Sequence, residues 1–206
     1  IVMSIFLSFK EIWRNRSRFL LFSLVIALIT VLVLFIAGLT EGLANANREY
    51  LAKLDGQLIV FQENTDLSTT ASRLNRQTLL QVRRQPGVAE VGAVGLSSGK
   101  AVFADGRETV DVALVGIDPG YPGGAPALTG SNLRSRRAYE IVIDGDFARQ
   151  SEIQIGDTLN IMTIQGTEEE FHELKVIGIS DGRQYLYQPS IFLPMQVWEK
   201  IRPQNG

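Results

Sequence analysis

The first apolar pattern in the chain is unbroken. From Phe19 to Leu39 it reads FLLFSLVIALITVLVLFIAGL, 21 residues without a charge, and the uncharged stretch extends from Arg18 to Glu41. At ~1.5 Å per residue such a helix is about 32 Å long, enough to cross a hydrocarbon core of about 30 Å. A core helix of a globular protein carries a polar stripe, whereas this segment is apolar on every side. Ser23 and Thr30 are its only polar residues, and each can return its hydroxyl to the preceding turn. Ala44-Asn45-Ala46 matches an A-x-A cleavage site. A signal-peptide apolar region runs only about 7–15 residues, so a retained transmembrane helix over 19–42 is expected.

The flanks of this span differ. Ahead of it Val2, Ile5, Phe6, Phe9, Ile12 and Trp13 share one helical face, and Ser4, Ser8, Glu11 and Asn15 the other. The spacing predicts an amphipathic interfacial helix over 1–18, lying along the inner leaflet. Lys10, Arg14, Arg16 and Arg18 precede the span, while Glu41 follows it. The positive-inside rule then places the N-terminus in the cytoplasm and residues 43–206 outside.

Beyond Gly42 the patterns shorten. Leu43–Leu54 is polar but helix-compatible, and extends the span as a stalk until Asp55-Gly56 breaks it. Gln57–Gln62 and Val88–Val94 read as strands, and Arg76–Gln85 as a helix stopped by Pro86-Gly87. Ala101–Phe103 and Thr109–Val115 flank Asp105-Gly106, a dipeptide suited to the positive φ of a hairpin turn. Gly116–Gly130 is crowded with Gly and Pro and predicts a loop. Glu140–Ile143 is a strand, Asp146–Ser151 a short helix, and Thr158–Ile164 with Phe171–Ile179 a second hairpin. Ser190–Leu193 and Met195–Ile201 supply a last strand and a terminal helix. The fold class is therefore α+β: a mixed sheet with short helices in a domain over 43–206, with about 95–140 as an inserted hairpin subdomain.

Charge changes the picture in one respect. The chain's net charge is −2, yet residues 1–18 carry +3, leaving −5 for residues 19–206. That excess argues against a nucleic-acid partner, whose phosphates need a basic surface. There is no cysteine, which excludes disulfides, thiolate nucleophiles and iron–sulfur clusters.

Several motifs suggest chemistry and fall short of it. Gly95-Leu96-Ser97-Ser98-Gly99 fits the G-x-S-x-G elbow, which needs a strand-to-helix turn to lift its serine. Here a strand follows, and the only histidine, His172, lies in a β-like stretch, so a small Gly/Ser connector is the better account. Gly95 to Lys100 is one residue short of a phosphate loop, with Ala101 where a Ser or Thr should hold magnesium. Asp144-Gly145-Asp146 starts like a calcium loop but places Ala148, Arg149 and Ile155 at obligatory positions, which leaves helix capping. No catalytic set, metal set or cofactor site assembles from these residues. Arg134, Arg136 and Arg137 form a basic cluster in an acidic domain, read either as a solvated loop or as a contact for an acidic partner.

Taken in order, other segments resemble a known family. Trp13-Arg14 ahead of a first span, Pro86-Gly87-Val88, Val115-Gly116-Ile117-Asp118-Pro119, Ile141-Val142-Ile143-Asp144 with Ala148, Ile155-Gly156-Asp157-Thr158-Leu159, and Lys175-Val176-Ile177-Gly178-Ile179 are similar to elements of MacB/FtsX-type ABC transporter permeases. Leu54-Asp55-Gly56-Gln57-Leu58 resembles the DevC-like branch. The resemblance implies a MacB-like periplasmic core domain on the first membrane helix of a permease, and a non-enzymatic subunit in the cell membrane. It further implies a homodimer, a separate cytosolic ATPase that binds the nucleotide, and a periplasmic adaptor or cargo met outside. Family members continue into three more membrane helices. This sequence starts at Ile1 and stops at Gly206 before them, which makes it either a shortened chain or a free-standing relative. The alternative from another class is a single-pass sensor or adaptor with a ligand- or protein-binding ectodomain.

Overall fold

The computed structural model describes residues 13–52, 56–65, 69, 71–182, 184–185 and 188–203. Most of the leader helix expected over 1–18 lies outside these residues. The chain divides into two units, Ile1–Asn45 and Ala46–Gly206.

Helix α1 runs from Arg16 to Ala52, 37 residues without a proline. The stalk expected beyond Gly42 is thus helical as far as Ala52. Arg16–Gly42 is long and apolar enough to cross a membrane, and none of that span is buried. Its hydroxyls are satisfied locally: Thr30 Oγ1 donates to the Ile26 carbonyl and Thr40 Oγ1 to that of Ile36, each at 2.9 Å. A polar group so paired costs little in hydrocarbon.

In the second unit, helix α2 (Arg76–Arg83) is capped by Asn75, whose side chain accepts from the Thr78 N–H. Then come β1 (Val94–Val102), β2 (Val110–Ile117), β3 (Ala127–Gly130), β4 (Glu140–Ile143), α3 (Gly145–Gln150), β5 (Thr158–Gln165), β6 (Glu168–Ser180), β7 (Gln184–Tyr185), β8 (Gln188–Pro194) and α4 (Met195–Ile201). The sheet order is β2-β1-β5-β6-β4-β8, and β8 pairs back onto β2, so six strands close into a ring. The β2–β8 and β4–β6 pairs are parallel and the other four antiparallel. Strands β3 and β7 attach outside this ring, to β6 and β8.

The core has two sides. Val112, Leu114, Ile141, Ile143, Leu174, Val176, Ile191 and Leu193 face one cluster, with Phe147 of α3 and Val197 and Ile201 of α4. Val115, Ile117, Val142 and Phe192 alternate with them and face a second, where Ala125 and Leu133 cover the sheet. Strands buried on both faces read as continuous apolar runs rather than alternating ones. This is the pattern of VALVGI and IVI.

The structure corrects the sequence reading at five places. Gln57–Gln62 forms no strand. Gln62 is held instead by side chains, its N–H donating to Ser72 Oγ and its Oε1 accepting from the Arg73 N–H, while Leu58 is 89% exposed. Of Val88–Val94 only Val94 enters a strand, and a Cβ on Gly92 would fall 1.9 Å from the Pro122 carbonyl oxygen. Gly95–Gly99 is no connector but the first half of β1. Strand β3 emerges within the Gly/Pro loop because β6 offers it a free edge. Residues 95–140, expected as an inserted subdomain, instead supply β1, β2 and β3 to the one sheet, since β1 and β2 each find a second ring partner.

The glycines of β1 and β2 have a common cause. Gly95 and Gly116 are cross-strand partners. A Cβ on Gly116 would lie 2.5 Å from Trp198 Cγ, and one on Gly95 would lie 2.7 Å from the same indole. The paired glycines form a bare seat on which the α4 tryptophan rests.

Candidate functional site

The residues that suggested catalysis are dispersed by the fold. Ser97 is in the middle of β1, paired with Leu114, where no strand-to-helix turn lifts it. His172 is on β6, with Nε2 3.2 Å from Thr163 Oγ1 and 3.8 Å from a Glu170 carboxylate oxygen. Strand β5 stands between β1 and β6, so the two backbones are about 10 Å apart at ordinary strand spacing. Lys100 is also a strand residue, opposite Asp111 and Met162. Asp144 is fully buried and caps α3, accepting from the N–H groups of Asp146 and Phe147 at 2.9 and 2.8 Å. Among the described residues no three His, Asp or Glu gather as a metal set.

The charged chemistry gathers at one end of the ring instead. Strand directions place the start of β1, β4 and β6 and the finish of β2, β5 and β8 at this end. The connections there are 118–126, 131–139 and the β5–β6 turn, and α4 begins there. Tyr121, in the first connection, has Arg83 of α2 5.6 Å and Arg136 5.7 Å from its ring centroid. Two guanidinium groups therefore share one aromatic ring, a contact that attracts each cation to the ring quadrupole. Arg137 donates from Nε to Gln196 Oε1, and its backbone N–H to Ser135 Oγ. Lys200 and Arg202 lie over the rings of Tyr139 and Trp198.

None of these cations has a carboxylate within 4 Å among the described residues, where the ion pairs are Arg107–Asp105, Arg149–Asp146 and His172–Glu170. The three arginines singled out in the sequence, Arg134, Arg136 and Arg137, are all exposed here. Arg83 and Tyr121 complete the surface. Sequence reasoning missed both, because only the fold brings 83, 121 and 136 together.

The β5–β6 hairpin at the same end is acidic, and Gln165 at its turn donates to the carbonyls of Ile201 and Arg202 at the end of α4. The β5–β6 hairpin carries Glu168, Glu169 and Glu170 next to its turn, all exposed, with Ile164 53% and Phe171 58% exposed beside them. At the other end of the ring an open cleft runs between α3 and β3. It is lined by Leu128, Asp146, Arg149, Glu152, Ile153 and Asp181, with Arg149 bonded to Asp146.

Known proteins resemble this chain along most of its length. The MacB-like periplasmic core domain family matches residues 19–205. A Staphylococcus haemolyticus protein named as a hemin transport system permease, HrtB, is 24% identical over 198 residues, which is 96% of this chain. The chain spans about half the length of that curated relative, 52%. The extracellular domain of the noncanonic ABC-type transporter YknZ from Gram-positive bacteria aligns at a TM-score of 0.48 and 17% identity, over 68% of this chain and 73% of that one. The periplasmic region of MacB from Actinobacillus actinomycetemcomitans aligns at 0.44 and 16%, over 61% and 57%.

Proposed function

This chain belongs to the MacB-like periplasmic core domain family, and from that premise we infer that it serves as the permease subunit of an ABC transporter. In this reading it performs no chemistry of its own. A separate cytosolic subunit hydrolyses ATP, and the chain carries the resulting motion to a folded unit outside the membrane, for export of a cargo. The permease is a homodimer, and the outer unit meets an adaptor protein or the cargo itself.

One observation carries the proposal: α1 continues unbroken from the apolar span through Ala52. A helix resists bending unless a proline or a similar defect interrupts it. The part of α1 beyond Gly42 adds about 15 Å at ~1.5 Å per residue. Motion imposed on the span would therefore be carried undamped at least as far as Ala52.

Two measurements test this. Crosslinking the full-length protein in its native membrane, followed by purification, is expected to recover an ABC-type ATPase with it; consistent recovery without any ATPase would overturn the permease role. The absence of cysteine makes single-cysteine labelling clean for orientation. In intact cells with a permeable outer boundary, a membrane-impermeant maleimide should label Ser98→Cys, an exposed position of β1. Ser17→Cys should react only after the membrane is opened, and the reverse pattern would refute the outside placement of residues 43–206.

A further inference from the structure

Around Tyr121 the fold gathers two guanidinium groups and gives neither an ion-pair partner. Arg83 ends α2 and Arg136 belongs to the 131–139 connection, yet both lie over the Tyr121 ring, 5.6 and 5.7 Å from its centroid. Like charges gathered on one ring repel unless a counter-charge joins them. Among the described residues neither cation has a carboxylate within 4 Å. Both are exposed, and a second cation–ring pair, Lys200 over Tyr139, belongs to the same end. Asp118, Glu140 and Glu199 are at this end too, so the surface is mixed in sign rather than uniformly basic.

We propose that Arg83, Tyr121 and Arg136 form a carboxylate clamp, which takes a Glu or Asp side chain from an extended acidic segment of a partner protein. A guanidinium offers its donors in a planar fork that matches a carboxylate, and one already stacked on a ring has less freedom to lose. Tyr and Arg are also residues that protein interfaces enrich, and a few such side chains carry most of the binding energy. The mixed charge favours a protein over a membrane. An anionic bilayer presents a negative plane, against which Asp118, Glu140 and Glu199 would all be set. A chain of separate side chains can put carboxylates at the arginines and neutral or basic residues at those three positions. The clamp rests on the permease reading, in which the outer unit meets an adaptor or cargo, and assigns that contact a place and a charge.

Photocrosslinking of the full-length protein in its native membrane provides the test. With p-benzoylphenylalanine replacing Arg134, an exposed position in the same connection as Arg136, irradiation should attach a partner whose crosslinked peptide contains Glu or Asp. Reversing the clamp, R83E/R136E, should lower the adduct yield about tenfold, and Lys or Arg in place of the partner's acidic residues should restore it. Tyr121→Phe keeps the ring and should keep the yield. Tyr121→Leu should lower it several-fold, because a cation is drawn to a ring quadrupole and not to an aliphatic chain. Removing two exposed charges elsewhere, K100Q/K175Q, should leave the yield unchanged. Circular dichroism of each purified variant checks that it folds. Adducts with lipid alone, with a second copy of this chain alone, or with nothing overturn the proposal. So does a captured peptide without Glu or Asp, or a charge reversal in the partner that rescues nothing. Co-purification of an ATPase from the same membranes reports on the permease reading separately.

Discussion

Trp198→Ala is expected to destabilise the folded unit by about 3–5 kcal/mol, the range for removing a large aromatic side chain from a packed site. The indole rests on the backbone at Gly95 and Gly116 with no side chains between, so its removal leaves a gap that neither of these residues can fill. Its loss also uncovers part of the buried cluster against which Trp198 packs. In a unit of this size the midpoint of thermal unfolding should fall by roughly 10 °C, read by circular dichroism of the full chain in detergent. The same seat predicts a coupling. Gly116→Ala alone should cost about 1–3 kcal/mol, because its new methyl meets the indole. In the Trp198→Ala background that cost should nearly vanish, since contacting residues are non-additive. If the two losses simply add, the glycine is required for some other reason.

The second large effect concerns transport. Under the proposed permease role, inserting Gly-Pro after Asn47 in α1 is expected to reduce export to the level of an ATPase-dead transporter while ATP hydrolysis continues. Proline in a helix interior removes a hydrogen bond and clashes with the preceding turn, at a cost of about 3 kcal/mol, so the helix bends there. An Ala-Ala insertion at the same point keeps the helix stiff but rotates its outer end by about 200°. Export lost with Gly-Pro and kept with Ala-Ala would show that stiffness is what matters. Export unchanged by Gly-Pro would eliminate the lever.

What could be read from the chain depended on how local its cause was. Both hairpins and α4 lie close to where alternation and turn residues predict them, because each is specified by neighbours in sequence: Asp105-Gly106 turns one hairpin, with Gly106 at φ 79°, and Pro194 begins α4. The failures were tertiary. Gly95–Gly99 looks like a connector, as glycine and serine have low strand propensity, yet a tryptophan far later in the chain needs that bare backbone to be a strand. Strands β3 and β7, of 4 and 2 residues, exist only because an edge was available. QLIVFQ has a strand's composition and, among the described residues, no strand to pair with. Three of the five members of the basic surface were legible, as Arg134, Arg136 and Arg137 are close neighbours in sequence. Its other members, Arg83 and Tyr121, carry no signal until α2 and the 118–126 loop are brought together.

The closed ring also sets a clock for biogenesis. Its closing pair joins Ala113 of β2 to Ser190 of β8, with five strands made in between. At about 5–20 residues per second, the intervening roughly 75 residues take about 4–15 s to synthesise. Until β8 emerges, β2 shows an unpaired edge and apolar side chains on both faces, the features that invite a neighbouring chain to add a strand. Parallel pairing between distant segments is slow to form in any case. During synthesis this unit should therefore depend on holding factors more than a hairpin-built domain of equal size would.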